Sequence, residues 1–125
     1  IPGISERQWP DEWLEDMNRQ EMRPRPYQGK EYTLYEATQR QRAIETSLRA
    51  WREKVQLLRT AGADRDYITD TQCQYQYWLN EYRRFSSAMG LQTQTERIYT
   101  GRTTGRIAPS ARQYAEWLAE REAAA

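Results

Sequence analysis

Between Leu34 and Leu58 the residues Leu34, Ala37, Gln41, Ile44, Leu48, Trp51, Val55 and Leu58 fall at alternating three- and four-residue steps, and seven of these eight are apolar. A stripe of that period demands a helix packed along its length against another helix, because only a repeat near 3.5 residues keeps one seam facing a partner. The ends agree with the seam. Thr33 followed by Glu36 forms a capping box, and Gly62 offers a left-handed stop just past the last periodic residue. The spacing therefore predicts a helix from Leu34 to about Thr60, about 40 Å long. Its outer faces are expected to set Glu36 against Arg40 and Glu45 against Arg49. Pairs four residues apart add only about 0.2–0.5 kcal/mol each.

Beyond the polar turn "TAGADRD", Ile68, Tyr75, Trp78, Tyr82, Phe85 and Met89 resume the spacing, with Leu79 beside the stripe. Asp66 or Thr69 can cap this second helix and Gly90 can close it, giving a span near Asp70 to Met89. So short a connection favours an antiparallel hairpin, in which Trp51 and Trp78 are expected to make the bulkiest seam contacts. The seam is assigned to Leu34, Ile44, Leu48, Trp51, Val55 and Leu58 on the first helix, and to Tyr75, Trp78, Tyr82 and Phe85 on the second. A rival reading takes "QCQYQYW" as a strand from its period-two alternation, but the run is short and continues into helical spacing.

The fold class is all-α: a long, antiparallel, coiled-coil-like helical hairpin with short flanking helices and extended arms. Three regions are expected: an N-terminal arm with a short helix over 1–31, the hairpin over 32–90, and a basic loop with a short C-terminal helix over 91–125. In the first, Pro10 near a helix start precedes Trp13, Leu14 and Met17, which with Trp9 form one apolar edge. "RPRPYQGKEY" then reads as a linker or arm, since Pro24 and Pro26 disfavour helix and Gly29 permits a turn. "QTQTERIYTGRTTGRIAP" reads as loop or extended chain. Ser110 with Gln113 makes a second capping box for a helix bearing Tyr114, Trp117 and Leu118, before "EAAA" frays.

Leu, Ile, Val and Phe number only 16 of 125 residues, so five Trp and nine Tyr must supply much of the apolar area. A core this thin nets no more than about 3–5 kcal/mol, and an assembly-dependent domain is the expectation.

Histidine is absent and Cys73 is the one cysteine, which excludes an internal disulfide and, because a site would have to be built without His, effectively excludes structural zinc. With no His to activate it, Cys73 reads as a small buried or half-buried residue and not a nucleophile. There is no phosphate-binding glycine loop, nucleophile elbow or HExxH pair, and Glu15 with Asp16 reads as solvated surface. No catalytic residue, cofactor or metal is assigned. No apolar run approaches the roughly 20 residues of a membrane span, and no signal-peptide pattern opens the chain, so it reads as soluble. Starting at "IPGIS" without Met, it also reads as a fragment or processed product.

Net charge is +1, yet residues 34–60 carry six basic and three acidic groups, against five and seven in 1–31. Arg97, Arg102, Arg106 and Arg112, interleaved with Tyr99, form a second basic stretch that could follow a nucleic-acid backbone. A net charge of +1 is far from that of a dedicated nucleic-acid domain, so a weak DNA contact is the second reading. Trp9, Trp13 and Trp117 are the candidate partner contacts, the alternative being that they fold back over the hairpin.

Three segments, "IPGIS", "YTLYEATQRQRAIETSLRAWREK" and "FSSAMGLQTQTERIYTGR", resemble the C-terminal region of tailed-phage minor capsid proteins, the group called phage minor capsid protein 2. The middle segment is the most specific of the three. The resemblance implies a structural protein of the phage head, generally encoded near the portal gene, that acts in head assembly or accompanies the DNA. It implies the portal, the major capsid protein or sister minor capsid subunits as partners, an oligomer or larger assembly, and residence in the virion after assembly in the host cytoplasm. That family's Cys/His-containing segment would lie before Ile1, so no metal or processing role is carried over. An accessory or targeting domain of a larger enzyme or toxin is the third reading.

Overall fold

The computed structural model describes residues 23–99 and 106–125. Helix α1 spans Leu34–Thr60 and helix α2 spans Arg65–Met89. They pack on each other as an antiparallel hairpin that forms the body of an all-α protein. At the start of α1 the capping box is complete: the Thr33 hydroxyl accepts from the Glu36 N–H, and the Glu36 carboxylate accepts from the Thr33 N–H. Both helices end in Schellman closures. Ala63 N–H donates to Leu58 O and Leu91 N–H to Ser86 O, with Gly62 at φ +69° and Gly90 at φ +70° supplying the left-handed residues. The second helix starts earlier than the spacing predicts. Asp64 takes the N-cap position, without a side-chain bond, and Asp66 and Thr69 lie inside the first turns.

Ala37, Ile44, Leu48 and Val55 of α1 and Tyr75, Leu79, Tyr82, Phe85 and Met89 of α2 are buried in one cluster. "QCQYQYW" is entirely helical. Among the seam candidates Leu34 is the exception, 42% exposed. It opens α1 at the level where α2 closes, beside Met89, so no residue of the second helix reaches past it. Trp51, Leu58 and Trp78 are half-buried along the edges of the seam, and the bulkiest fully buried side chains are instead Tyr75, Tyr82 and Phe85. Two wide indoles cannot both fit between backbones that approach closely, whereas tyrosine and phenylalanine rings can lie along the seam.

"RPRPYQGKEY" is not a linker. Strands β1, Arg25–Tyr27, and β2, Lys30–Tyr32, pair antiparallel with Tyr27 opposite Lys30. The two-residue turn has positive φ at both Gln28 and Gly29, the primed geometry that suits strand twist. The prolines are tolerated because a two-stranded ribbon consists only of edges. Tyr27 and Tyr32 set their rings edge-on to Phe85 at 5.2 and 5.1 Å, so this ribbon covers the base of the hairpin. Helix α3, Ala111–Ala124, begins at the predicted Ser110–Gln113 capping box and continues through residues expected to fray.

Candidate functional site

Alongside the apolar seam, α1 carries a second stripe: Gln41, Glu45, Arg49, Arg52 and Arg59, again at helical period but polar. This stripe holds the chain that returns from α2. Gln41 Nε2 donates to Gln92 O at 2.9 Å, Arg49 Nη1 to Arg97 O at 2.7 Å, and Arg59 Nη2 to Arg106 O at 3.1 Å. The return segment therefore runs in the same direction as α1, laid along the hairpin and gripped by its main-chain carbonyls. Ile98 and Ile107, each 1% exposed, drive into the core beneath it. A short 3-10 turn at Thr95–Arg97 interrupts a segment that the sequence reads as loop or extended chain.

Glu45 was expected to pair with Arg49 on an outer face, but it is buried. Its carboxylate accepts from the Tyr82 hydroxyl at 2.7 Å and faces Arg97 Nη1 at 3.6 Å, while Arg49 turns to the Arg97 carbonyl. Tyr82 in turn accepts from the Gln94 N–H at 2.7 Å. Burial, with the Glu45 carboxylate adding to it, pushes the Tyr82 phenol up to about 12. Glu36 likewise serves the cap and not Arg40, whose guanidinium lies over the Phe85 ring at 5.3 Å.

On the opposite side of the base, Glu81 accepts from the Tyr27 hydroxyl at 2.5 Å and from Arg84 Nη2 at 3.1 Å. Helix α3 rests on α2 through Trp117, Tyr114 and Gln113, with Asn80 Nδ2 donating to the Tyr114 hydroxyl at 3.4 Å. Trp117 donates its indole N–H to Asp70 at 2.8 Å, stacks on Tyr114, and meets Tyr77 edge-on with Arg121 over both rings. Cys73 is buried beneath the start of α3, near Gln113 O, and burial, with Asp70 adding to it, pushes the thiol up to about 11. A thiol so raised is a poor nucleophile at neutral pH.

The sequence candidates separate accordingly. Trp117 is half-buried on α3; Trp9 and Trp13 lie outside the described residues, as does Arg102. Of the basic stretch, Arg97 faces Glu45 and Arg112 pairs with Glu116 at 3.1 Å, while Arg106 is exposed and its main-chain carbonyl accepts from Arg59. Sequence reasoning missed the polar stripe. Its signal was present, as donors and acceptors at helical period beside the seam, but such residues ordinarily mark a solvated face.

Among the described residues, four of the five exposed large apolar side chains lie at the two ends of α1, and the fifth, Tyr99, lies against Arg52 between them. Leu34 and Tyr35, the latter 73% exposed, sit at its start, and Leu57 and Tyr67, 69% and 48% exposed, sit at the hairpin tip. Among the described residues there is no helix long and apolar enough to cross a membrane and no cluster of three or more metal-ligating side chains.

Residues 1–86 match the family described as phage minor capsid protein 2. The chain belongs to that family. No curated protein and no solved structure matches it. As a phage capsid component this minor capsid protein is a structural protein of the virion. The matched span ends inside α2, just past Phe85, so the return segment and α3 lie beyond it.

Proposed function

We propose that this minor capsid protein is a non-enzymatic spacer, in which the hairpin is a rod about 40 Å long that joins neighbouring head proteins at its two ends. The observation that carries the reading is the distribution of exposed apolar side chains. The β-ribbon covers the base of the rod and the described parts of the return segment cover its flank, while Leu34 and Tyr35 at one end and Leu57 and Tyr67 at the other are left to solvent, with Tyr99, 47% exposed, the one large apolar side chain among the described residues exposed between them. Aromatic and aliphatic anchors of this kind gain most when a partner surface buries them. The portal, the major capsid protein and sister copies are the partners that a head protein meets. These contacts form in the host cytoplasm while the head assembles.

The test replaces the ends without touching the core. Tyr35→Ser and the pair Leu57→Ser, Tyr67→Ser alter exposed side chains, so stability should stay within about 0.5 kcal/mol of the parent. Incorporation into heads, measured by quantitative mass spectrometry of purified particles, is expected to fall severalfold for each variant. Undiminished incorporation of both would remove the two-ended spacer.

A further inference from the structure

Cys73 has no exposed surface, yet it precedes the seam residue Tyr82 by about two and a half turns of α2 and so faces away from α1. Its cover comes from the start of α3, where the thiol lies 3.9 Å from Gln113 O. That cover is held differently from the chain that leads into it. Up to Pro109 the return segment is pinned: Arg59 holds the Arg106 carbonyl, Ile107 is 1% exposed, and Pro109 is buried. From Ala111 to Ala124 no residue is buried. Tyr114, Trp117 and Leu118 are only half-buried, on one stripe of α3. The Trp117 indole N–H reaches Asp70 at 2.8 Å where solvent also reaches, and the contact of Asn80 with the Tyr114 hydroxyl is long, at 3.4 Å. Water can take over bonds of that kind, and a half-buried stripe has little apolar area to lose on lifting. The Ser110–Gln113 capping box and the Arg112–Glu116 pair lie within α3 and its cap, so they need nothing from α2.

We infer that α3 is a latch: it lifts from α2 as a unit, pivoting just after Pro109, while the hairpin, the β-ribbon and the pinned return segment stay folded. Lifting uncovers the face of α2 that bears Asp70, Cys73, Tyr77 and Asn80. Local openings of a fold span free energies from near zero up to that of global unfolding, and elements with few buried apolar contacts lie at the low end. Helix α3 is such an element. The β-ribbon is not, because its Tyr27 and Tyr32 rings meet the fully buried Phe85, and neither is the hairpin, whose seam is closed at Leu48 and Val55. The face that the latch hides lies within the matched residues 1–86, whereas the latch itself lies beyond them. A surface of the family-matched part is thus presented or withheld by a helix outside it. The latch works independently of the exposed ends of the rod, which it does not touch.

Cys73 is the one cysteine of the chain, so its thiol reports the opening without interference. The experiment uses the full chain at one fixed pH and follows labelling of Cys73 by a chromogenic aromatic disulfide, at urea concentrations below the unfolding transition. Global stability is read in parallel from urea unfolding by circular dichroism. Labelling of the parent should run at least about tenfold faster than global unfolding allows and should hardly respond to urea, because one short helix exposes little surface when it lifts. Trp117→Ala removes the indole bond and the ring contacts and should quicken labelling by about tenfold, still with little response to urea. Ile44→Val weakens the seam and should lower the unfolding midpoint while leaving the labelling rate where it was. Labelling that carries the full urea dependence of global unfolding, and that quickens in Ile44→Val as the midpoint falls, overturns the latch, since Cys73 then reacts only when the hairpin itself opens. Fast labelling that Trp117→Ala leaves unchanged overturns it as well, since the thiol is then reached without moving α3.

Discussion

Tyr82 has no exposed surface, yet its hydroxyl serves two partners, donating to Glu45 and accepting from the Gln94 N–H. Removing that oxygen leaves a buried carboxylate and a backbone donor each short of a bond. Tyr82→Phe is therefore expected to cost about 1–3 kcal/mol, read by urea denaturation, despite the small change in volume. The same residue sets a pH dependence. The folded value near 12 stands above its ordinary 10.0, and Cys73 near 11 stands above 9.0. Groups raised in the folded state stabilise fully below their unfolded values, and that stabilisation is lost as pH rises through the folded ones. Stability should thus fall from about pH 9 to pH 12, and Tyr82→Phe should flatten the upper part of the fall. A midpoint that declines as steeply in the variant would count against this account. None of it was legible in the sequence. Glu45 has Arg49 four residues on and reads as half of a surface pair, because spacing along a helix says nothing about a chain that returns from beyond residue 90.

At the level of elements, the helices were legible and their cover was not. Period, capping box and left-handed stop are local signals, and at both ends of α1 they coincide with the observed geometry. The β-ribbon was hidden because proline argues against a central strand, and nothing nearby in sequence reveals that Phe85 waits for Tyr27 and Tyr32. The return segment was hidden for a similar reason. Ile98 and Ile107 are isolated apolar residues in a polar stretch, with no period to betray burial. Ile98→Ala and Ile107→Ala should each destabilise by about 2–5 kcal/mol. Gln41→Ala should instead loosen the segment locally. Amide exchange at residues 92–98 is expected to accelerate while exchange in the seam is unchanged, and uniform acceleration throughout would mean that the segment and the hairpin open as one unit.

The whole molecule is a thin aromatic core between two long helices, supplemented on both faces by short pieces of chain. Leu48 has no exposed surface at the centre of the seam, and Ile44 adjoins it one turn away. Ile44→Asp with Leu48→Asp places two unpaired carboxylates there, and circular dichroism should register collapse of most helicity; an unchanged spectrum would discard the seam as the source of order. On the proposed assembly role, in which partner contacts complete so small a core, the thermal midpoint should climb with protein concentration. A midpoint independent of concentration would describe a self-sufficient monomer.

The grip of α1 on carbonyl oxygens of Gln92, Arg97 and Arg106 holds the return segment by its main chain, with Ile98 and Ile107 as its apolar anchors. Drift at the exposed Gln92 and Arg106, which are held by their carbonyls alone, can therefore repaint the surface shown to neighbours at little thermodynamic risk, and a lineage in which the neighbours change has room to follow them.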